Sequence, residues 1–167
     1  LSLNVRPKPS LSLSALGSTH FCSSGQVTLQ TQEGYSNYIW KNGTQIITTA
    51  SEPSLLANTN GDFYVSAQND VGCKDTSNII TVTIDPDFAL ELGDDKFICP
   101  GDLVTIGQPI DNATYTWSSG QNTPTITVDN LGVFSLTATR GFCTHDDRIG
   151  VFLLAKGYRD GIGLACI

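Results

Sequence analysis

The chain has 167 residues, is 40 % hydrophobic and carries nine Lys/Arg against sixteen Asp/Glu, for a net charge of −7. That apolar content argues against a disordered chain, and no apolar run approaches the ~18 residues of a helical membrane span. No basic stripe interrupts the acidic surface, which argues against nucleic acid and anionic lipid as partners and fits the solvated exterior of an exported protein.

In chain order, Ser2-Leu3-Asn4-Val5-Arg6-Pro7 alternates apolar and polar residues and ends in charge and proline, as Thr81-Val82-Thr83-Ile84-Asp85-Pro86 does later. Alternation marks a strand, and proline cannot continue a central ladder. Residues 1–7 therefore read as the last strand of a preceding repeat, and the chain as a piece of a longer array. A first domain is expected over 8–86. Its strands fall at Leu11–Ser14, Val27–Thr31, Tyr38–Trp40, Gln45–Thr49, Leu55–Ala57, Phe63–Gln68 and Ile79–Ile84. Asn42-Gly43 and Asn58-Thr59-Asn60-Gly61 supply turns. After the linker Asp85-Pro86-Asp87 a second domain spans 87–154, with strands expected at Phe88–Leu92, Leu103–Ile106, Thr114–Trp117, Pro124–Val128, Val133–Thr139 and Arg148–Leu154. Residues 155–167 are a Gly-rich tail of unassigned role that contains Cys166. No segment shows a 3.6-residue apolar period. Short alternating strands at such spacing predict an all-β fold of two tandem immunoglobulin-like antiparallel β-sandwich domains, arranged end to end by the short proline linker.

The two halves repeat each other. Cys22 and Cys99 each precede a Val by five residues (Val27, Val104) and a Trp by eighteen (Trp40, Trp117). Gly61-Asp62-Phe63-Tyr64-Val65 leads to Cys73 as Gly132-Val133-Phe134-Ser135-Leu136 leads to Cys143. Such self-similarity marks a tandem array. The second copy is shorter between Trp117 and Cys143, and the loss of an edge strand accounts for that.

Trp40 and Trp117 are expected in the two cores, where a large ring supplies much of the buried area of a small sandwich. Phe63 and Phe134 stand where immunoglobulin domains keep a corner tyrosine. Val65 with Leu29, and Leu136 with Ile106, occupy the places of their inter-sheet disulfide. The four repeat cysteines then serve another purpose. The simplest pairing joins Cys22 to Cys73 and Cys99 to Cys143, closing loops of ~45–50 residues that would add about 3–4 kcal/mol. A plain walk along the strands puts the two members of each pair at opposite ends of a sandwich, whereas a bridge needs Cα atoms within ~7 Å. The pairing works only if the segment before the first cysteine folds up along the last strand.

His20 and His145 lie two residues from repeat cysteines, but in different domains, so no four-ligand zinc set forms. Asp94-Asp95 and Asp146-Asp147 are candidates for weak Ca²⁺ binding, with solvated turns the simpler reading. Asn42-Gly43-Thr44 and Asn112-Ala113-Thr114 match the N-glycosylation pattern and read equally well as turns. No nucleophile elbow, phosphate loop or metal-ligating His pair is present. Neither a cofactor nor an enzymatic activity is indicated.

Phe21-Cys22, Gly25, Val27-Thr28-Leu29, Trp40-Lys41-Asn42-Gly43, Gly61-Asp62-Phe63-Tyr64-Val65 and Gly72-Cys73 resemble the immunoglobulin-like repeats of large secreted Bacteroidota surface proteins. Leu92-Gly93-Asp94-Asp95, Cys99-Pro100-Gly101-Asp102, Trp117-Ser118-Ser119-Gly120 and Thr125-Ile126-Thr127-Val128 are similar to such repeats in gliding-associated adhesins. The resemblance covers about residues 8–154 and implies export, commonly by type IX secretion, and a stalk or adhesive role at the cell surface. The expected function is a structural stalk segment of a secreted, cell-surface adhesin, with neighbouring repeats of the same polypeptide as partners. Surface polysaccharide and other cell-surface proteins are further candidate partners. The alternatives are a carbohydrate-binding module, with Tyr35, Tyr38 and Tyr64 as candidate platforms, and a spacer attached to a secreted hydrolase.

Overall fold

The computed structural model describes residues 10–154. The expected strand of a preceding repeat, the tail 155–167 and Cys166 lie outside the described residues. The chain divides into two compact units, one up to Pro86 and one from Asp87 onward.

The first unit contains β1 (Leu13–Ala15), β2 (His20–Cys22), β3 (Val27–Thr31), β4 (Ser36–Asn42), β5 (Gln45–Ala50), β6 (Ser54–Ala57), β7 (Gly61–Gln68), β8 (Lys74–Thr76) and β9 (Ile80–Asp85). One sheet runs β1-β3-β6; the other runs β2-β9-β7-β4-β5, with β8 beside β7. The inward faces follow the alternation in the sequence. Val27, Leu29 and Thr31 of β3 are buried, and so are Tyr38 and Trp40 of β4, Phe63, Val65 and Ala67 of β7, and Val82 of β9. Leu29 and Val65, from opposite sheets, are both fully buried in one apolar core. Closing such side chains off from water is the main favourable term available to a unit of this size.

The second unit contains β10 (Lys96–Ile98), β11 (Val104–Gly107), β12 (Thr114–Trp117), β13 (Thr125–Val128), β14 (Gly132–Arg140) and β15 (Cys143–Leu153). Its sheets are β10-β15-β14-β12 and β11-β13. Trp117, Leu136, Ile106, Ile149 and Val151 form its core, with Phe134 half-buried and packed against it. In the first unit β4 has β5 on its outer side; in the second, β12 is the edge of its sheet. This is the missing edge strand that the shorter spacing implied. The repeat equivalence extends to register, because Trp40 lies opposite Val65 and Trp117 opposite Leu136.

Several expectations need correction. Phe88–Leu92 is not a strand, although Leu90 and Leu92 are buried. Its backbone is held by side chains instead: Leu92 N–H donates to Asp147 Oδ2 at 2.8 Å, and Glu91 N–H to Gln108 Oε1 at 2.8 Å. The opening of the first unit is held in the same way, with Leu11 N–H donating to Asp75 Oδ2 at 2.9 Å and Leu13 N–H to Asn78 Oδ1 at 2.8 Å. The three-residue strands β2 and β8 were not expected.

The cysteine pairing is also overturned. Cys73 is an exposed free thiol, whereas Cys22, Cys99 and Cys143 are disulfide-bonded. The segment before Cys22 does lie along the last strand, but parallel to it, so that Cys22 comes opposite Asp85 at the strand's end. That direction carries it away from Cys73, which sits beyond the Gln68–Lys74 end of the β7–β8 pair. In the second unit Ile98 lies opposite Leu153 and Cys143 opens the same strand, β15. Ten residues of strand span ~33 Å, so Cys99 and Cys143 stand at opposite ends and cannot bond to each other.

Candidate functional site

Three regions gather polar or aromatic side chains: the end of the first unit, the beginning of the second, and the outer face of β10 and β15. At the end of the first unit, β2 pairs with β9 and brings His20 Nε2 to 3.1 Å from Asp85 Oδ2. At the start of the second, His145 Nε2 lies 2.6 Å from Asp87 Oδ1. The ring of Phe88 meets His145 edge-on at 4.8 Å, and the Arg140 guanidinium stands 5.0 Å over that ring. Arg140 Nη2 also donates to the Asp87 carbonyl at 2.9 Å. The hydrogen bond from His145 holds the Asp87 carboxyl below its ordinary value of 3.8, assisted by the Phe88 N–H and opposed by desolvation. Each histidine is thus engaged by an aspartate of its own unit.

The other candidate carboxylates serve the backbone. Asp95 Oδ1 accepts from Gly150 N–H at 2.7 Å, and Asp147 takes the Leu92 and Arg148 N–H groups at 2.8 Å each. A carboxylate that satisfies backbone donors acts as a structural clamp, and this describes Asp95 and Asp147, one member of each acidic pair. Asn42 of the first glycosylation pattern is similarly occupied. Its Nδ2 donates to the Asn60 carbonyl, and its Oδ1 accepts from Asp62 N–H, both at 2.9 Å.

The tyrosines expected to face sugar divide. Tyr38 is 1 % exposed and its hydroxyl donates to the Gln32 carbonyl at 2.9 Å, so it is a core residue. Tyr64 is half-buried, with Lys41 Nζ 5.6 Å over its ring. Tyr35 is half-buried beside an open depression also lined by Asn37, Ile39 and Thr49. The sequence reading missed another aromatic pair. Phe97 (59 % exposed) and Phe152 (39 % exposed) lie opposite each other on β10 and β15, with ring centroids 5.9 Å apart. The available signal was the Phe97-Ile98 alternation, since Ile98 is buried and Phe97 must therefore face out.

No family model and no curated protein matches the sequence. Solved structures do resemble the fold. Drosophila OTK extracellular domains 3–5 match with a TM-score of 0.56 at 10 % identity, over 86 % of this chain and 62 % of that one. The fibronectin(III)-like modules of Clostridium thermocellum CbhA match with a TM-score of 0.39 at 10 % identity, over 84 % of this chain and 94 % of theirs. The human OSCAR ligand-binding domain matches with a TM-score of 0.38 at 12 % identity, over 85 % of this chain and 96 % of that one. The chain spans less than two thirds of the OTK structure, and identity at this level speaks to the fold alone. The fold is that of tandem immunoglobulin-like β-sandwiches.

Proposed function

We propose that this chain is a structural stalk segment of an extracellular, adhesin-like repeat protein. The observation that carries the reading is the repetition of one core in two units, with Trp40 opposite Val65 and Trp117 opposite Leu136. Asp75, Asp95 and Asp147 are spent on bonds that hold backbone within their units. Cys22, Cys99 and Cys143 are disulfide-bonded, which fits an oxidising compartment outside the cytosol. Tandem sandwich domains of this kind make extracellular scaffolds, as in the OTK domains, and no helix among the described residues is long and apolar enough to cross a membrane. The motif resemblance of the sequence supports export from a Bacteroidota cell by type IX secretion and a place in its gliding-associated surface layer.

A second reading, carbohydrate recognition, is favoured by the exposed Phe97–Phe152 pair, because aromatic faces stack on sugar rings. A glycan array probed with the protein and with Phe97→Ala separates the two. The stalk reading expects no specific binding by either. Binding by the parent protein that the substitution abolishes would replace it with the second reading.

A further inference from the structure

We propose that the outer face of β10, β15 and β14 in the second unit is a self-association surface, on which the same face of a second copy of this chain packs. The two units repeat one fold, so residues at equivalent register positions can be compared directly. In the first unit His20 lies opposite Thr83, and Asp62 opposite Thr81. At the same places in the second unit Phe97 lies opposite Phe152, and Val133 opposite Gly150. Asn60 immediately precedes β7, and Leu131 immediately precedes β14. Five positions with polar side chains in the first unit therefore have none in the second. The first unit shows that the fold itself does not ask for apolar residues there.

These residues form one patch. The Phe97 and Phe152 ring centroids are 5.9 Å apart. A Cβ on Gly150 would overlap the Phe152 ring, so that ring lies over the Gly150 backbone, the cross-strand neighbour of Val133. Val133 is 59 % exposed and Leu131 48 %. A contiguous exposed apolar surface of this kind marks a docking site.

The chemistry of the face selects the partner. A sugar needs polar groups to meet its hydroxyls. The five residues carry no polar side-chain atom, and Asp95 Oδ1 beside them is taken by Gly150 N–H at 2.7 Å. An added peptide strand binds at a sheet edge through free backbone groups, whereas β15 already has β10 on one side and β14 on the other. A flat apolar sheet face fits another such face, because sheets pack face to face with their side chains interdigitated. Charge favours a second copy as that partner. The chain carries −7 in all. Next to the patch, however, the outward residues of β14 and β15 include one cation, Arg148 opposite Ser135, and one carboxylate, Asp146 opposite Thr137. The face thus sets no net charge against its own copy. A two-fold axis would place each patch on the other and close the assembly at a dimer, with aromatic rings in the interface core. The pairing is a property of the second unit and does not depend on what the array displays.

Sedimentation equilibrium of the 167-residue chain tests this, with free thiols alkylated to exclude intermolecular disulfides. The apparent mass should rise from 17.8 kDa towards twice that value between micromolar and millimolar concentration. The comparison variant gives the second unit the residues of the first: Phe97→His, Val133→Asp and Phe152→Thr. It should keep the circular dichroism of the parent chain and weaken the dimer at least about tenfold. Concentration-dependent amide shifts in the NMR spectrum of the parent chain read the surface without any substitution, and should centre on Phe97, Val133 and Phe152. A parent chain that stays monomeric at millimolar concentration, a folded variant that associates as the parent does, or shifts confined to other faces would each overturn the proposal.

Discussion

Trp117 Nε1 donates to the carbonyl of Thr123 at 2.9 Å, whereas Trp40 Nε1, at the matching place in the first unit, is buried without a hydrogen-bond partner. The two rings fill their cores alike, at 2 % and 0 % exposure, but only one has its polar atom satisfied. Replacing either by alanine should cost about 3–5 kcal/mol. Replacement by phenylalanine should discriminate between them. Trp117→Phe strips a partner from the Thr123 carbonyl and should cost about 1 kcal/mol more than Trp40→Phe, which removes an unsatisfied donor. Urea unfolding followed by far-UV circular dichroism measures both, with the surviving tryptophan reporting on its own unit. Equal losses would contradict the distinction.

Gly61 offers a second test. Its φ of +147° disfavours any side chain, and a Cβ there would overlap the Asn42 carboxamide. Gly61→Ala should therefore destabilise the first unit by about 1–3 kcal/mol, partly by expelling Asn42 from its bonds to Asn60 and Asp62. In the Asn42→Ala background the same change should cost less, since the overlap is gone and the backbone strain alone remains. A double-mutant cycle of urea midpoints reads the coupling; strictly additive losses would show that the two residues act separately.

Asp87 gives a pH dependence of defined sign. Its carboxyl is held below the ordinary value by the hydrogen bond from His145, so the folded form favours the ionised state. The stabilisation is fully present above the unfolded value and is lost as pH falls through the lower, folded one. Carboxyl chemical shifts followed by NMR should place the Asp87 midpoint below 3.8, and His145→Ala should move it upward. A midpoint unmoved by that substitution would remove His145 as the main cause.

Much of this architecture was legible because alternation reports local geometry. Val27–Thr31 and Thr114–Trp117 occur where the pattern placed them, and the short Trp117–Cys143 spacing translated directly into an absent edge strand. Less was visible where structure depends on distant partners. His20-Phe21-Cys22 is half-buried throughout and shows no alternation, so its parallel pairing with β9 left no local trace. Phe88–Leu92 alternates correctly, but a carboxylate and a carboxamide from 17 to 55 residues away stand in for a strand partner. The cysteines misled for the same reason. Matching positions in two repeats suggested a bridge within each, whereas the direction in which β2 runs along β9 sends Cys22 to the far end.

The proposal that the chain serves by position and not by recognition is tested most directly by a spacer exchange in the whole surface protein. Residues 10–154 are replaced in the producing cells by two unrelated immunoglobulin-like domains without binding activity, and adhesion is measured at matched surface levels. The account predicts unchanged adhesion. Loss of adhesion while export and surface level remain normal would contradict it and show that these two repeats carry a recognition surface of their own.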